Sequence, residues 1–212
     1  MEPARDPERA AAMSAYLRNQ FPCLGISLPK LDALLRELPR PEPEEAIDFA
    51  LACWELPERE YQYAGIRRLS SARRRLQAER LPDLERLITT KSWWDTVDAL
   101  ATDVVGSLVM AHPTLVAEMD RWLESDNMWL ARSAILHQDR WKEKTDARRL
   151  FAYCLRRAGD RDFFIRKAIG WSLRSYAAVD PAEVARFVEK HEAELSGLSR
   201  REALRGVQRH LR

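Results

Sequence analysis

Apolar residues recur at helical spacing along most of the chain, and no segment alternates between apolar and polar positions over the length of a strand. Several of these stretches begin beside a proline, and Pro181 with Asp180 before it has the pattern of a helix start. We therefore predict about a dozen helices and no sheet. The clearest amphipathic stretches are 38–56, 81–90, 111–126 and 179–195.

Four segments are alike, and they recur with a nearly fixed period. Each contains a small residue followed by Ile or Leu, and the second members of these pairs are 34, 35 and 34 residues apart. A period of this size is typical of stacked helical hairpins, as in HEAT-type solenoids. We expect the small residue to let neighbouring helices approach while the Ile or Leu fills the shared core. The pairs are Gly65–Ile66, Ala99–Leu100, Ala134–Ile135 and Ala168–Ile169.

Composition favours a single all-α domain over residues 1–212. Ala, Leu, Arg and Glu dominate, and 46% of the residues are apolar, which is enough for a buried core. The seven glycines form no phosphate-binding loop, and the four histidines and three cysteines have no metal-ligand spacing. We therefore expect neither a metal nor another cofactor. No apolar run is long enough to span a membrane, so we expect a soluble protein inside the cell. We also expect a monomer, because a closed solenoid with polar ends needs no partner.

The repeat also predicts an outward-facing surface. At about 100° per residue, Asp98 lies nearly opposite Leu100 on its helix, and Trp171 lies nearly opposite Ile169. In a solenoid of antiparallel helical repeats, such positions form one concave basic face. The alternative is that the tryptophans pack on a neighbouring helix layer. On the predicted face we place Trp94, Asp98, Lys167, Trp171 and Arg174, with Arg140 and His137 on the equivalent face of the preceding repeat and Arg132 at its edge.

Basic residues are concentrated in two segments, although the net charge is only +2. Residues 67–80 carry six arginines against one glutamate, and residues 200–212 carry five against one. Such runs are either solvated helix faces or an electrostatic footprint for a polyanion, and charge alone does not choose between them. We also expect the second segment to cap the solenoid and to touch phosphate.

A carboxylate on a surface that binds DNA needs a chemical reason, because it repels the phosphate backbone. Breaking an N-glycosidic bond makes the sugar oxocarbenium-like, and a nearby carboxylate lowers that barrier. A purine alkylated on N3 or N7 is already cationic and leaves without a proton, so Asp98 alone would be enough. We interpret Asp95 as a helix-start or salt-bridge residue and expect Trp93 to pack.

In several long segments the chain resembles the bacterial DNA alkylation repair family, the AlkD-like DNA glycosylases. The similarity runs from about residue 10 to the end of the chain. The family implies a single domain of HEAT-like repeats that excises cationic lesions such as 3-methyladenine and 7-methylguanine from duplex DNA without flipping the base. The segments are AYLRNQFPCLGI (15–26), ELPEREYQYAGI (55–66), TKSWWDTVDAL (90–100), SDNMWLARSAIL (125–136), RDFFIRKAIGWSLRSYA (161–177) and LSRREAL (198–204).

The resemblance also implies roles for individual residues. Trp94 and Trp171 would contact the sugar and phosphate of the lesioned nucleotide, and Asp98 would stabilise the oxocarbenium and position the attacking water. Arg132 would hold the DNA backbone, and Tyr16 would line the same cleft. One departure is Ser27, which is shorter than the polar side chain of the family's best-known member and could change contacts to the opposite strand.

Two other functions stay open at this stage. One is a non-catalytic helical scaffold that binds DNA, and the other is a scaffold that binds a protein, because fold does not fix function. For the glycosylase we expect double-stranded DNA with alkylated purines as the partner. We expect no membrane contact, and a cytoplasmic location at the bacterial nucleoid.

Overall fold

The computed structural model describes residues 1–211, and these residues contain twelve helices and no strand. The expectation of an all-α protein is therefore confirmed. Short 3-10 turns join some of the helices. In chain order the helices are α1 (Pro7–Tyr16), α2 (Leu28–Arg36), α3 (Pro43–Glu55), α4 (Arg59–Ala72), α5 (Leu81–Thr89), α6 (Trp94–Ala111), α7 (Val116–Leu123), α8 (Met128–Leu136), α9 (Ala147–Arg156), α10 (Phe163–Tyr176), α11 (Pro181–Lys190) and α12 (Gly197–His210).

Capping residues set where the helices begin. Asp180 precedes α11, and its carboxylate accepts a hydrogen bond from the backbone N–H of Glu183 at 2.7 Å, while Pro181 takes the first helical position. This confirms the predicted start, since an aspartate at that position satisfies one of the free N–H groups of the first turn. The other predicted starts hold within a few residues, except that α7 begins at Val116 after a 3-10 turn from Pro113 to Leu115.

The helices form two compact units, Met1–Lys91 and Ser92–Arg212. The first unit contains α1–α5, and the second contains α6–α12, of which residues 92–211 are described. The single domain over 1–212, with one concave face along it, stays a prediction. So does the phosphate contact of the basic C-terminal segment, whose last residue, Arg212, lies outside the described residues.

In the first unit, α3 and α4 form an antiparallel hairpin, and α2 and α5 pack against it. Gly65 allows the close approach of α3 and α4. A Cβ atom at this position would lie 3.1 Å from the Cα atom of Ala50 and 3.2 Å from the Trp54 ring. The small residue of this repeat therefore does what the pattern predicted.

The second unit is a stack of helical hairpins. The pairs α7/α8, α9/α10 and α11/α12 each pack together, and α6, α8, α10 and α12 pack in succession. Leu100 and Ile169 are fully buried, and Ile135 is nearly so, as the repeat predicted. This arrangement is that of an α-helical repeat solenoid.

Two local features shape α6, the first helix of the second unit. Its middle section, Leu100–Val105, is π-helical, a form that often occurs at functional sites. Directly after it, Gly106 lies against the end of α8, where a Cβ atom would come within 2.2 Å of the carbonyl oxygen of His137. No side chain other than hydrogen fits there.

No single helix among residues 1–211 is long and apolar enough to cross a membrane. The bent pair Trp94–Ala111 and Pro113–Leu123 meets the test of length and composition only when taken together.

Candidate active site

Asp98 and Arg132 form a buried, two-pronged ion pair between α6 and α8. The Nε and Nη2 groups of Arg132 donate to Oδ1 and Oδ2 of Asp98, both at 2.7 Å. The Nη1 group donates to the backbone carbonyl of Phe164 on α10. The Arg132 side chain is 1% exposed, whereas that of Asp98 is 19% exposed. The Arg132 guanidinium therefore holds the Asp98 carboxylate in place and links the three helices α6, α8 and α10.

The surroundings of Asp98 act on its pKa in opposite directions. Burial raises the pKa above the ordinary value of an aspartate, and the charge of Asp95 adds to the rise. The hydrogen bonds and the charge of Arg132 work against it, and the net direction is upward. Because both oxygens accept N–H groups, the geometry holds the ionised carboxylate.

Trp171 on α10 lies among three cations, two of them from its own helix. The Cζ atoms of Arg132 and Arg174 lie 5.4 and 5.5 Å from its ring centre, and the Nζ atom of Lys167 lies 5.6 Å away. At such distances the electron-rich ring face attracts positive charge. The indole N–H of Trp171 is buried and has no hydrogen-bond acceptor among the described residues.

Glu202 on α12 holds the two α10 cations in place. It accepts from Lys167 at 2.9 Å and from Arg174 at 2.6 Å, and it also pairs with Arg205 at 3.0 Å. Burial alone would raise its pKa, but the three cations outweigh that effect and hold the pKa of Glu202 below its ordinary value. The apolar and basic patterns of the sequence did not predict this residue. Its signal is the spacing to Lys167 of 35 residues, one repeat length.

The residues at the start of α6 differ in role: Trp93, just before the helix, packs against other rings, whereas Trp94 lies on the side of Asp98. Trp93 packs edge-on against Phe164 at 5.3 Å and near Trp129 at 6.0 Å, so the prediction that it packs is confirmed. Asp95 lies in the first turn of α6, as expected of a helix-start residue. Trp94 is half-buried at the first position of the helix, one turn before Asp98 and on the same side.

His137 corrects the predicted face. We expected it on the outward surface with Arg140, but it is fully buried, 5.3 Å from the Trp141 ring, and Ala134 accepts its Nδ1–H at 2.6 Å. Burial lowers the pKa of His137 to about 4. The reason is that every residue of 130–138 is buried, so α8 has no outward face here.

The same burial changes the position expected of Arg132. We placed it at the edge of the face and in contact with the DNA backbone, whereas its guanidinium is enclosed and bound to Asp98. A phosphate contact from Arg132 stays a prediction and requires this pair to open. Arg140 is 62% exposed and pairs with Asp103 at 3.1 Å. It remains accessible to solvent, as the prediction requires.

Tyr16 and Ser27 belong to the first unit. Tyr16 ends α1, is 71% exposed and lines a cavity of that unit with Met13 and Tyr63. Ser27 is half-buried at the residue before α2, and its side chain makes no capping hydrogen bond. Their predicted contacts to DNA stay predictions. Among residues 1–211, no three His, Cys, Asp or Glu side chains are grouped to hold a metal ion.

The fold and the site together define a class of helical-repeat protein. The packed helices α6, α8 and α10 bring the Asp98 carboxylate, its partner Arg132 and Trp171, which is surrounded by cations, into one cluster. The chain belongs to the DNA alkylation repair enzyme family, whose model matches residues 1–207. It is similar to a structure from Enterococcus faecalis described as a predicted DNA alkylation repair enzyme, with 33% identity, a TM-score of 0.84 and 94% of each chain covered. None of the curated proteins compared matches the chain.

Proposed function

We propose that the protein is a monofunctional DNA glycosylase that hydrolyses the N-glycosidic bond of N3- and N7-alkylated purines, such as 3-methyladenine and 7-methylguanine, in duplex DNA. The observation that carries the proposal is the Asp98–Arg132 pair beside Trp171, since it leaves a partly exposed carboxylate fixed among aromatic and basic side chains.

Asp98 is the residue to which we assign the chemistry. As the bond to the base breaks, positive charge develops on the sugar, and a preorganised carboxylate lowers the free energy of that transition state. Each carboxylate oxygen has two acceptor sites, and Arg132 uses one on each. The remaining sites can face the sugar and hold the attacking water. A cationic purine leaves as a neutral base, so no general acid is needed.

The aromatic and basic side chains around Asp98 would hold the nucleotide. We assign Trp94 and Trp171 to the sugar and phosphate of the lesion, where ring faces give contact area without sequence preference. Lys167 and Arg174 would bind the adjoining phosphates, and their common partner Glu202 would keep them oriented. Arg140, Tyr16 and, once released from Asp98, Arg132 would contribute further DNA contacts.

No lysine belongs to the catalytic trio Asp98, Trp94 and Trp171, so we expect no Schiff base and no strand cleavage. The base is expected to stay stacked rather than to enter a pocket, and the protein is expected to act as a monomer, in one domain, at the nucleoid. The competing function is a non-catalytic DNA-binding scaffold, in which the Asp98–Arg132 pair would only stabilise the helix stack.

Excision from methylated duplex DNA tests the proposal. DNA treated with a methylating agent is incubated with excess enzyme, and the released bases are separated and identified. We expect free 3-methyladenine and 7-methylguanine, and strand breaks only after alkaline cleavage of the abasic sites. Binding without any released base would favour the scaffold, whereas breaks without alkali would contradict a monofunctional enzyme.

A further inference from the structure

Arginines with no carboxylate partner converge on one cavity of the first unit. Many arginines of the described chain form ion pairs, for example Arg75 with Glu42 at 2.8 Å. Arg36, Arg40 and Arg68 have no such partner among residues 1–211, yet all three line the same cavity of about 380 Å³ between α2, the following loop and α4. We call it the arginine cavity.

The charges around the arginine cavity are unbalanced. Arg67 also lines it and is paired with Asp32, whose Oδ1 atom lies 3.0 Å from Nε of Arg67. Four arginines and one aspartate therefore line the same cavity. Like charges that line one cavity repel one another, and a bound anion would offset that repulsion.

Arg68 adds a second, independent sign of a missing acceptor. Its Nη2 group donates to the carbonyl of Pro39 at 2.5 Å, which fixes the guanidinium at the cavity wall. Its Nε atom is buried and has no hydrogen-bond partner among the described residues. A buried donor without an acceptor costs free energy, so an oxyanion within hydrogen-bond distance of this N–H group would stabilise the side chain.

We propose that the arginine cavity binds a phosphodiester group of duplex DNA, an inference that rests on the proposed action on DNA. Guanidinium groups match phosphate oxygens in geometry and stay charged at every physiological pH. DNA is favoured over a small phosphate metabolite because Arg36 and Arg40 are exposed at the mouth of the cavity. The arginine-rich segment 67–80 also continues from it. Leu38, which is 44% exposed, adds an apolar edge that suits a deoxyribose.

The test compares two double variants with the same loss of charge. Arg36→Gln/Arg40→Gln alters the arginine cavity, and Arg148→Gln/Arg186→Gln removes two other exposed arginines without ion pairs among the described residues. Affinity for an undamaged duplex is measured as a function of salt. For the cavity variant we expect about tenfold weaker binding. We also expect the slope of log K against log salt to flatten by about one unit.

The control variant is expected to change both quantities much less. Equal effects of the two variants would overturn the site, because general charge would then explain the loss. If DNA binding were unchanged but inorganic phosphate raised the melting temperature of the wild type and not of the cavity variant, DNA would be overturned as the source of the phosphate. The readout needs no base release, so an inactive wild type would contradict the glycosylase proposal alone.

A third variant covers the case in which the double variant fails to fold. Ser71 is exposed at the cavity wall, and Ser71→Glu would place a carboxylate beside the unpaired guanidinium groups. We expect it to raise the melting temperature while weakening DNA binding, because an internal anion competes with phosphate. A rise in both stability and DNA affinity would contradict the proposal.

Discussion

Asp98 is held between two opposing demands, and its titration follows from them. Burial raises its pKa, because the low-dielectric surroundings disfavour the charged form, while Arg132 stabilises that form. In the proposed reaction only the ionised carboxylate can stabilise the oxocarbenium. We therefore expect protonation of this one group to switch off the proposed catalysis without removing the DNA contacts proposed for other residues.

The rate of base release is expected to depend on pH through Asp98. Because the pKa is raised, release should fall on acidification at a pH above about 3.9, the ordinary value for aspartate, and should level off at higher pH. The measurement is single-turnover release from 7-methylguanine DNA between about pH 4 and pH 8, corrected for spontaneous loss. A rate that is flat to the lowest pH would contradict the need for the carboxylate.

Replacing Arg132 and Arg140 in turn compares the contributions of a buried and an exposed ion pair to stability. Arg132→Met leaves the buried Asp98 carboxylate without its partner, so we expect a loss of about 3–5 kcal/mol in unfolding free energy. The pKa of Asp98 should rise further, and the acid limb of the rate profile should move to higher pH. Arg140→Met removes the exposed pair with Asp103 and should cost less than about 1 kcal/mol. Denaturant unfolding of both variants checks this, and equal costs would contradict it.

The repeat predicted that Asp98 and Trp171 lie opposite the core residues Leu100 and Ile169, and both are partly exposed while those two are fully buried. Their roles in catalysis stay predictions. The repeat mispredicted His137 and the position of Arg132, since the rotation argument assumes that each helix has an open side. It missed Glu202, because a lone glutamate in a basic segment carries no sign of burial. A search for opposite charges one repeat apart would have found both the Asp98–Arg132 and the Lys167–Glu202 pairs.

Close packing of α10 against α12 depends on glycine. A Cβ atom at Gly170 would lie 2.6 Å from Cβ of Glu202 and 3.0 Å from the carbonyl oxygen of Ser199. Helix α12 would have to shift, and with it the partner of Lys167 and Arg174. Gly170, which follows the repeat pair Ala168–Ile169 and is not part of it, thus sets the spacing between α10 and α12 at the site.

Gly170→Ala is expected to lower the unfolding free energy by about 1–3 kcal/mol, because the added methyl group overpacks the contact. Gly159→Ala is the matched control, since a Cβ atom there meets no atom within 4 Å, and it should change stability by less than about 0.5 kcal/mol. Thermal or urea unfolding measures both. If Gly170→Ala were as stable as the control, the close approach would not limit packing.

The capping residues and the spacing of apolar residues were sufficient to predict where most helices begin and which residues form their shared core. The π-helical section of α6 could not be predicted, because the hydrogen-bond register of a helix leaves little trace in its apolar period. The order of packing among α6, α8, α10 and α12 was predictable, because stacked hairpins bring equivalent helices of successive repeats together.

Two spectroscopic probes can show whether the two units of the chain, Met1–Lys91 and Ser92–Arg212, unfold together. Trp54 is the sole tryptophan of Met1–Lys91, and the other six lie in residues 92–211. Tryptophan fluorescence therefore reports mainly on the second unit, whereas far-UV circular dichroism reports on both.

A single domain predicts that the two signals change at the same temperature and denaturant concentration. The measurement is one unfolding series followed by both probes. Two separate transitions in circular dichroism, with fluorescence following only one of them, would contradict the single domain over 1–212. The composition and the even repeat favour coincident fluorescence and circular dichroism transitions, since each stacked repeat is stabilised by contacts with its neighbours.

The most direct test of the account is release of base from a duplex that carries one 7-methylguanine, with excess enzyme and no added metal. Wild type is compared with Asp98→Asn and with Asp95→Asn, a control three residues away in the first turn of the same helix. We predict release by wild type and by Asp95→Asn. For Asp98→Asn we predict a rate lower by about 10²–10³-fold with DNA binding retained. Equal release by wild type and Asp98→Asn would contradict the role of the carboxylate, and binding without release by any of the three would contradict the glycosylase.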